Sequence, residues 1–134
     1  MSKGRILVVD DEPELVRSIS MRLKAHGYEV LTAADGARAT STALRELPDL
    51  ILLDIGLPAG SGHIVVKRLR DSMKTARIPI IFLTARTSEK DYQQAFEHGV
   101  EQYITKPFRP DELMSAIESV LQSSPDPDPS RASQ

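Results

Sequence analysis

Polar side chains stand at the ends of three short apolar runs and just past a fourth, mixed run of this 134-residue chain. They are Asp10 and Asp11, Asp54, Thr84 and, just past the fourth run, Lys106. Three carboxylates that lie close together repel one another unless a cation neutralises them. Ligands that are all oxygen favour a hard ion, and Mg²⁺ characteristically takes one or two carboxylates together with water and phosphate oxygens. These residue types therefore predict a Mg²⁺ site that handles phosphate.

An aspartate at such a site can itself be the nucleophile that takes a phosphoryl group. The reaction then needs a metal ion and donors that stabilise the charge developing on the phosphoryl oxygens. Asp54 follows the central apolar run, and Lys106 and Thr84 are candidate donors. The pattern thus predicts phosphoryl transfer to Asp54.

The apolar runs that precede these residues are too continuous for half-exposed strands. Residues 6–9, 50–53 and 78–83 have the composition of strands buried on both faces of a parallel sheet. The mixed segments 29–32 and 102–105 belong at the edges of that sheet. Segments of helical period lie between the strands, near residues 12–26, 36–46, 61–72, 88–98 and 111–122. Five consecutive βα units predict an α/β fold, in which ligands bind at the carboxyl ends of the strands.

Local signals agree with these boundaries. Ser88 begins a segment with the spacing of a capping box, and Pro13 and Pro110 stand where a first helical turn tolerates proline. Gly27 and Gly99 follow predicted helices as stop signals.

Each candidate residue also has an ordinary interpretation. Asp54 could be a turn residue at the end of its strand, and Asp11 could cap the helix that begins near residue 12. Lys106 could be a solvated lysine, and Thr84 a β-branched strand residue. Their joint occurrence at successive strand ends favours the functional interpretation, because one rim of the sheet collects all of them.

Composition narrows the class of protein. The chain has no cysteine, which excludes disulfides and thiolate metal sites, and its formal net charge of -2 does not indicate a nucleic-acid-binding surface. No helix-turn-helix candidate follows the last helix, so we expect no direct DNA binding. No signal peptide is evident and no apolar run approaches the roughly 20 residues that span a bilayer, so we expect a cytoplasmic protein without membrane contact.

Two segments differ in character along the chain. Residues 1–122 are predicted to form one domain. Residues 123–134 are rich in proline, aspartate and serine and are predicted to be a disordered tail or a linker.

The chain resembles the response-regulator receiver family over nearly all of residues 3–122. The resemblance lies in several sequence blocks, which are ILVVDDE at 6–12, LILLDIGLP at 50–58 with Gly60 and Gly62, FLTA at 82–85, Gly99, and YITKPF at 103–108. It implies a flavodoxin-like (βα)5 three-layer sandwich whose five-stranded parallel sheet has the order 2-1-3-4-5.

The resemblance also implies what the site residues do. Asp54 would accept its phosphoryl group from a sensor histidine kinase or a phosphotransfer protein. Mg²⁺ would be held by Asp10, Asp11, Asp54 and the backbone carbonyl of Gly56. Lys106 would pair with the phosphoryl group, and the Lys106–Pro107 peptide bond is expected to be cis.

A conformational switch follows from the same resemblance. Thr84 would swing toward the phosphoryl oxygen while Tyr103 turns inward behind it. The fourth helix, the fifth strand and the fifth helix would form the face that changes, which an unknown downstream protein or a second copy of the chain could bind. Gly56 and Arg86 occupy positions that influence phosphoryl lifetime in relatives, and we hypothesise that Arg86 limits or orients the attacking water.

Such a module catalyses only its own phosphotransfer and dephosphorylation, so we do not expect a metabolic enzyme. A phosphohydrolase would need a general acid two residues after the nucleophile, where this chain has Gly56. A flavodoxin-like cofactor carrier would need a Ser-, Thr- or Gly-rich phosphate loop after the first strand, where this chain has an acidic segment at 10–13. These two alternatives stay open at this point.

Other polar residues invite functional interpretations that we consider weaker. His26, His63 and His98 are interpreted as surface or helix-cap residues. The cluster of Lys67, Arg68 and Arg70 is interpreted as a solvated helix face rather than the site of an anionic partner.

Overall fold

The computed structural model describes residues 2–123 and contains one parallel sheet with helices on both faces. The strands are β1 (Arg5–Val9), β2 (Glu29–Ala33), β3 (Leu50–Leu53), β4 (Ile80–Thr84) and β5 (Gln102–Thr105). Their order is β2-β1-β3-β4-β5, and every neighbouring pair is parallel. The predicted fold class, strand order and edge positions of the two mixed strands are confirmed.

The helices lie close to their predicted positions. They are α1 (Pro13–Ala25), α2 (Gly36–Glu46), α3 (Gly62–Arg70), α4 (Glu89–Glu97) and α5 (Pro110–Ser123). Ser88 caps α4 as predicted, since its hydroxyl accepts a hydrogen bond from the Asp91 backbone N–H. Gly27 and Gly99 follow helices with φ of 94° and 76°, a conformation that glycine adopts without steric cost.

Several element ends differ from the predictions by one or two residues. Strand β4 begins at Ile80 rather than at residue 78, because the Ile78 N–H bonds the Thr75 carbonyl in a turn and Pro79 has no N–H to give. The N-cap of α1 is Glu12, so Asp11 does not cap this helix. Helix α5 extends to Ser123, one residue into the predicted tail, and residues 124–134 lie outside the described part of the chain.

Two apolar cores lie on opposite faces of the sheet. One joins the sheet to α2, α3 and α4, and the other joins it to α1 and α5. Alternate residues of each central strand enter different cores, so Leu7 and Ile51 lie in the first core while Ile6 and Leu50 lie in the second. Burial on both faces explains why these strands are continuous apolar runs. Among the described residues, no helix is long and apolar enough to cross a membrane.

Candidate functional site

The strand ends bring the predicted site residues to one rim of the sheet. Backbone hydrogen bonds continue just past three strands, where the N–H groups of Asp10, Asp54 and Lys106 donate to the carbonyls of neighbouring strands. Thr84 is the last residue of β4 and accepts the bond from Lys106. These backbone hydrogen bonds therefore align the four residues along the same edge of the sheet.

Three carboxylates meet at this rim. Asp10, Asp11 and Asp54 each place one oxygen within 4.8 Å of the others. Asp10 and Asp54 are buried, with 4% and 8% exposure, whereas Asp11 is exposed. All the donors are carboxylate oxygens, so the cluster fits a hard divalent cation such as Mg²⁺. Asp11 is therefore the member of the cluster that faces solvent.

Lys106 lies between the two buried carboxylates. Its ammonium donates to Asp10 at 2.7 Å and to Asp54 at 3.3 Å, and it also approaches the exposed Glu12 at 3.5 Å. Burial alone would lower the pKa of Lys106, but the hydrogen bonds and charges of the two aspartates outweigh burial and raise it. The ammonium therefore remains charged at neutral pH.

The same effects act on the pKa of Asp10, and burial is the largest of them. Burial raises the pKa of its carboxyl, and the hydrogen bonds from Lys106 and from the Glu12 backbone N–H offset only part of this rise. Ionisation of Asp10 is therefore less favourable here than in water, and a bound cation would favour the ionised carboxylate.

The loop after β3 is shaped by a close backbone approach. The Gly56 N–H donates to a carboxylate oxygen of Asp54 at 3.3 Å. The Gly62 N–H donates to the Ile55 carbonyl, and a Cβ at Gly62 would lie 2.4 Å from the Asp54 carbonyl oxygen. Glycine at position 62 therefore lets α3 begin directly beneath Asp54.

Thr84 and Arg86 approach the rim from β4. Thr84 is fully buried, and its hydroxyl accepts a hydrogen bond from the Arg86 N–H at 3.3 Å. The exposed Arg86 guanidinium lies over Gly56, where an added Cβ would be 3.6 Å from a guanidinium nitrogen. A long cation thus lies beside the loop that follows Asp54.

Tyr103 is packed among other rings beside the site. Its ring lies edge-on to Phe82 at 5.8 Å and stacks on Tyr92 of α4 at 4.0 Å. Its hydroxyl donates to the Arg86 carbonyl at 2.8 Å. Burial, reinforced by the charge of Asp91, raises the pKa of Tyr103 to about 12. The side chain is half-buried and contacts both β4 and α4.

The peptide bond between Lys106 and Pro107 is cis, as the family resemblance implied. His26 and His98 are the C-cap residues of α1 and α4, which confirms their interpretation as helix caps. Lys67 and Arg68 are exposed on α3, which confirms that part of the cluster as a solvated helix face.

Two interpretations of polar residues on α3 were wrong. His63 is buried, with 8% exposure, and its Nε2 lies 2.8 Å from a carboxylate oxygen of Asp91. Arg70 is half-buried, and its guanidinium donates to four backbone carbonyls, those of Ala76, Ile78, His98 and Gly99. Both side chains follow the helical period of the buried residues Val66 and Leu69, and this period was the signal that the sequence offered.

Comparisons with known proteins agree with this geometry. A family model described as the response regulator receiver domain matches residues 6–118. The chain is 39% identical over 117 residues to the DNA-binding dual master transcriptional regulator RpaA of Synechocystis, covering 87% of this chain and 48% of that protein. The chain spans about half the length of the curated relatives it matches.

Solved structures give the same match over the full length of the fold. A CheY-like response regulator receiver domain protein from Methanospirillum hungatei has a TM-score of 0.87 at 28% identity, covering 92% of this chain and 97% of that one. The receiver domain of sensor histidine kinase PA1611 from Pseudomonas aeruginosa has a TM-score of 0.82 at 33% identity, covering 90% and 98%. That second structure holds a magnesium ion coordinated in its active site cleft.

Proposed function

We propose that this chain, which belongs to the response regulator receiver family of two-component signalling proteins, accepts a phosphoryl group on Asp54. The observation that carries the proposal is the position of the Asp54 carboxylate, which shares one rim with two further carboxylates and a charged lysine. Asp54 is the carboxylate that directly precedes the loop beside Arg86. Asp10 is held by Lys106 at the shorter distance, which favours a supporting role for it.

The transfer is a displacement at phosphorus. An oxygen of Asp54 forms the new P–O bond while the P–N bond of a donor phosphohistidine breaks, and the bonding electrons leave with the imidazole, which takes up a proton. Lys106 lies within hydrogen-bonding distance of Asp54 and pairs with the charge on the phosphoryl oxygens. The Thr84 hydroxyl is the second donor, after it exchanges its contact with the Arg86 N–H for one with the phosphoryl group.

Mg²⁺ is the cofactor that we propose for this site, held by Asp10, Asp11, Asp54 and the backbone carbonyl of Gly56. When bound, Mg²⁺ supplies positive charge that neutralises the phosphoryl oxygens and the surrounding carboxylates. The residues themselves orient the nucleophile, since the Gly56 N–H and the Lys106 ammonium each bond one oxygen of Asp54.

Phosphorylation would change the conformation of the surface through Thr84 and Tyr103. Movement of Thr84 toward the phosphoryl group changes the space beside Tyr103, whose ring contacts β4 and α4. The face formed by α4, β5 and α5 would then present a different surface to a downstream protein or to a second copy of the chain. We expect these encounters in the cytoplasm, with a histidine kinase or a phosphotransfer protein as the phosphoryl donor.

The chain covers about half the length of its curated relatives, so the receiver function proposed here does not extend to the activity of those whole proteins. RpaA is a DNA-binding regulator by name, and a comparable DNA-binding output would require sequence beyond the fold described here. The receiver itself is proposed to bind proteins rather than nucleic acid.

Chemical trapping tests which carboxylate is modified. After reaction with acetyl phosphate and Mg²⁺, borohydride reduces an aspartyl phosphate to homoserine, which peptide mass mapping locates in the chain. We expect homoserine at position 54 and unmodified aspartate at 10 and 11. Homoserine at position 10 or 11 in place of 54 would contradict the assignment of the nucleophile.

A further inference from the structure

Helix α4 is held to the fold by less apolar contact than its neighbour. In the described part of the chain, α4 buries one side chain, Ala95, whereas α3 has the same length and buries five residues. Polar and aromatic contacts must therefore supply much of what fixes α4, and two of them come from α3.

The first contact is at the N-terminal turn of α4. His63 Nε2 donates to one oxygen of Asp91, and the Ser88 hydroxyl donates to the other at 2.8 Å. Ser88 in turn accepts from the Asp91 N–H, so a single carboxylate joins the helix cap to α3. Nδ1 of His63 is buried and has no hydrogen-bond partner among the described residues, so the ring is bound to its surroundings through Nε2 alone. The hydrogen bond from His63 lowers the pKa of Asp91, although partial burial opposes this shift.

The second contact is at the C-terminal end of α4 and consists of more than one hydrogen bond. Arg70 donates to the carbonyls of His98 and Gly99, at the C-terminus of α4, and to two carbonyls of the loop before β4. Glu101 lies 3.5 Å from the same guanidinium and accepts a hydrogen bond from the Ile80 N–H. From α3, several bonds of one planar group hold this end, whereas a single bond from His63 holds the other.

We infer that His63 is a positioning residue that holds the N-terminal turn of α4 through Asp91, and that α4 moves by pivoting about the end fixed by Arg70. The inference about movement rests on the proposed phosphorylation of Asp54. The N-terminal turn is also the end that carries Tyr92, the ring stacked on Tyr103, so release of this turn moves the contact partner of the switch residue. His63 itself packs edge-on to Phe82, which in turn packs edge-on to Tyr103.

Hydrogen exchange of individual backbone amides tests the position of the helix without phosphorylation. The amides of Asp91 and Tyr92 bond Ser88 at the N-terminal turn, and those of His98 and Val100 bond the C-terminal end. We expect His63→Leu to raise exchange of the first pair about tenfold, the loss of one hydrogen bond to a charged group, and to leave the second pair unchanged. His26→Leu is the matched control, since His26 is exposed at the end of α1 and does not contact α4.

Further readouts separate positioning from a general loss of packing. Asp91→Asn should raise exchange at the same two amides, and NMR titration of the Asp91 carboxyl should show its pKa rising in His63→Leu. Equal opening at both ends of α4, or no change in the Asp91 titration, would overturn the inference.

Beryllofluoride with Mg²⁺, as a mimic of the phosphoryl group, tests the pivot in the wild-type chain. Exchange should change at Asp91 and Tyr92 and not at His98 and Val100, whereas a uniform change along α4 would overturn the pivot. Failure of beryllofluoride to bind would count against the proposed function, and the His63→Leu comparison in the unmodified protein would still decide the role of His63.

Discussion

The Lys106 ammonium lies 2.7 Å from a carboxylate oxygen of Asp10, although 96 positions separate the two residues in sequence. This ion pair occupies the rim where a divalent cation would bind, and the same ammonium reaches Asp54. A lysine so placed partly neutralises the site in the absence of metal. Its charge also repels an incoming cation, and this competition leads to the first prediction.

Replacing Lys106 by methionine should tighten Mg²⁺ binding. Removal of one positive charge near a divalent cation relieves a repulsion. We expect the Kd to fall about tenfold, which corresponds to about 1.4 kcal/mol of binding free energy. Isothermal titration calorimetry at low ionic strength measures this directly, with Lys67→Met on the exposed face of α3 as the control. An unchanged Kd would show that the ammonium and the cation do not share the site.

Replacing Asp10 by asparagine should stabilise the metal-free protein. Burial raises the pKa of Asp10 in the folded chain, so between the unfolded and the folded pKa the native state binds more protons, and stability falls as the pH rises through this window. At pH 7 the ionised carboxylate therefore destabilises the fold. Since one pKa unit corresponds to about 1.4 kcal/mol, we expect Asp10→Asn to raise the free energy of unfolding by about 1 kcal/mol.

The comparison is made by urea unfolding in EDTA and again in excess Mg²⁺. Ligand binding to the native state stabilises the wild type, so the order of the two proteins should reverse when Mg²⁺ is added. A variant that is less stable than the wild type in EDTA at pH 7 would contradict the electrostatic account of Asp10.

Glycine at position 62 should be required for the geometry of Asp54. A methyl group there would lie 2.4 Å from the Asp54 carbonyl oxygen and 2.8 Å from the Ile55 Cα, so the backbone has to shift. We expect Gly62→Ala to lower the free energy of unfolding by about 2–3 kcal/mol. Gly56→Ala is the matched control in the same loop, because its methyl group would meet only Arg86 at 3.6 Å. Equal stabilities of the two variants would refute the close approach.

Removing the Arg86 side chain should shorten the life of the phosphoryl group. The guanidinium covers the loop that follows Asp54, and its loss opens a path for water. We expect Arg86→Ala to lose phosphate about threefold faster, a change of ~0.7 kcal/mol in the activation free energy. Decay is followed by intact mass after removal of the phosphoryl donor, with Arg68→Ala as the control on α3. Unchanged or slower decay would contradict a covering role.

Much of the fold could be predicted from the sequence because each element carried its own signal. The runs that became β1, β3 and β4 were continuous because both faces of these strands are buried, and the mixed composition of β2 and β5 matched their edge positions. The strand order itself came from the family resemblance. The exact start of β4 depended on a turn at Thr75, which no periodicity reveals.

The candidate site could be predicted as a set of residues but not as a set of contacts. Parallel strand ends must meet at one edge, which placed Asp10, Asp54, Thr84 and Lys106 together. That Lys106 bonds Asp10 more closely than Asp54 depends on side-chain placement across three strands. His63 was predicted to be a surface or helix-cap residue, because its partner, Asp91, lies on another helix 28 positions away and no local signal reveals the contact.

The central claim is phosphorylation of Asp54, and intact mass spectrometry after incubation with acetyl phosphate tests it most directly. The wild-type protein and Asp54→Asn are compared with Mg²⁺ and with EDTA. We predict a gain of one phosphoryl group in the wild type with Mg²⁺, and no gain in EDTA or in the variant. An adduct of equal yield in Asp54→Asn, or a folded wild-type protein that gains no phosphoryl mass and binds no beryllofluoride, would contradict the account.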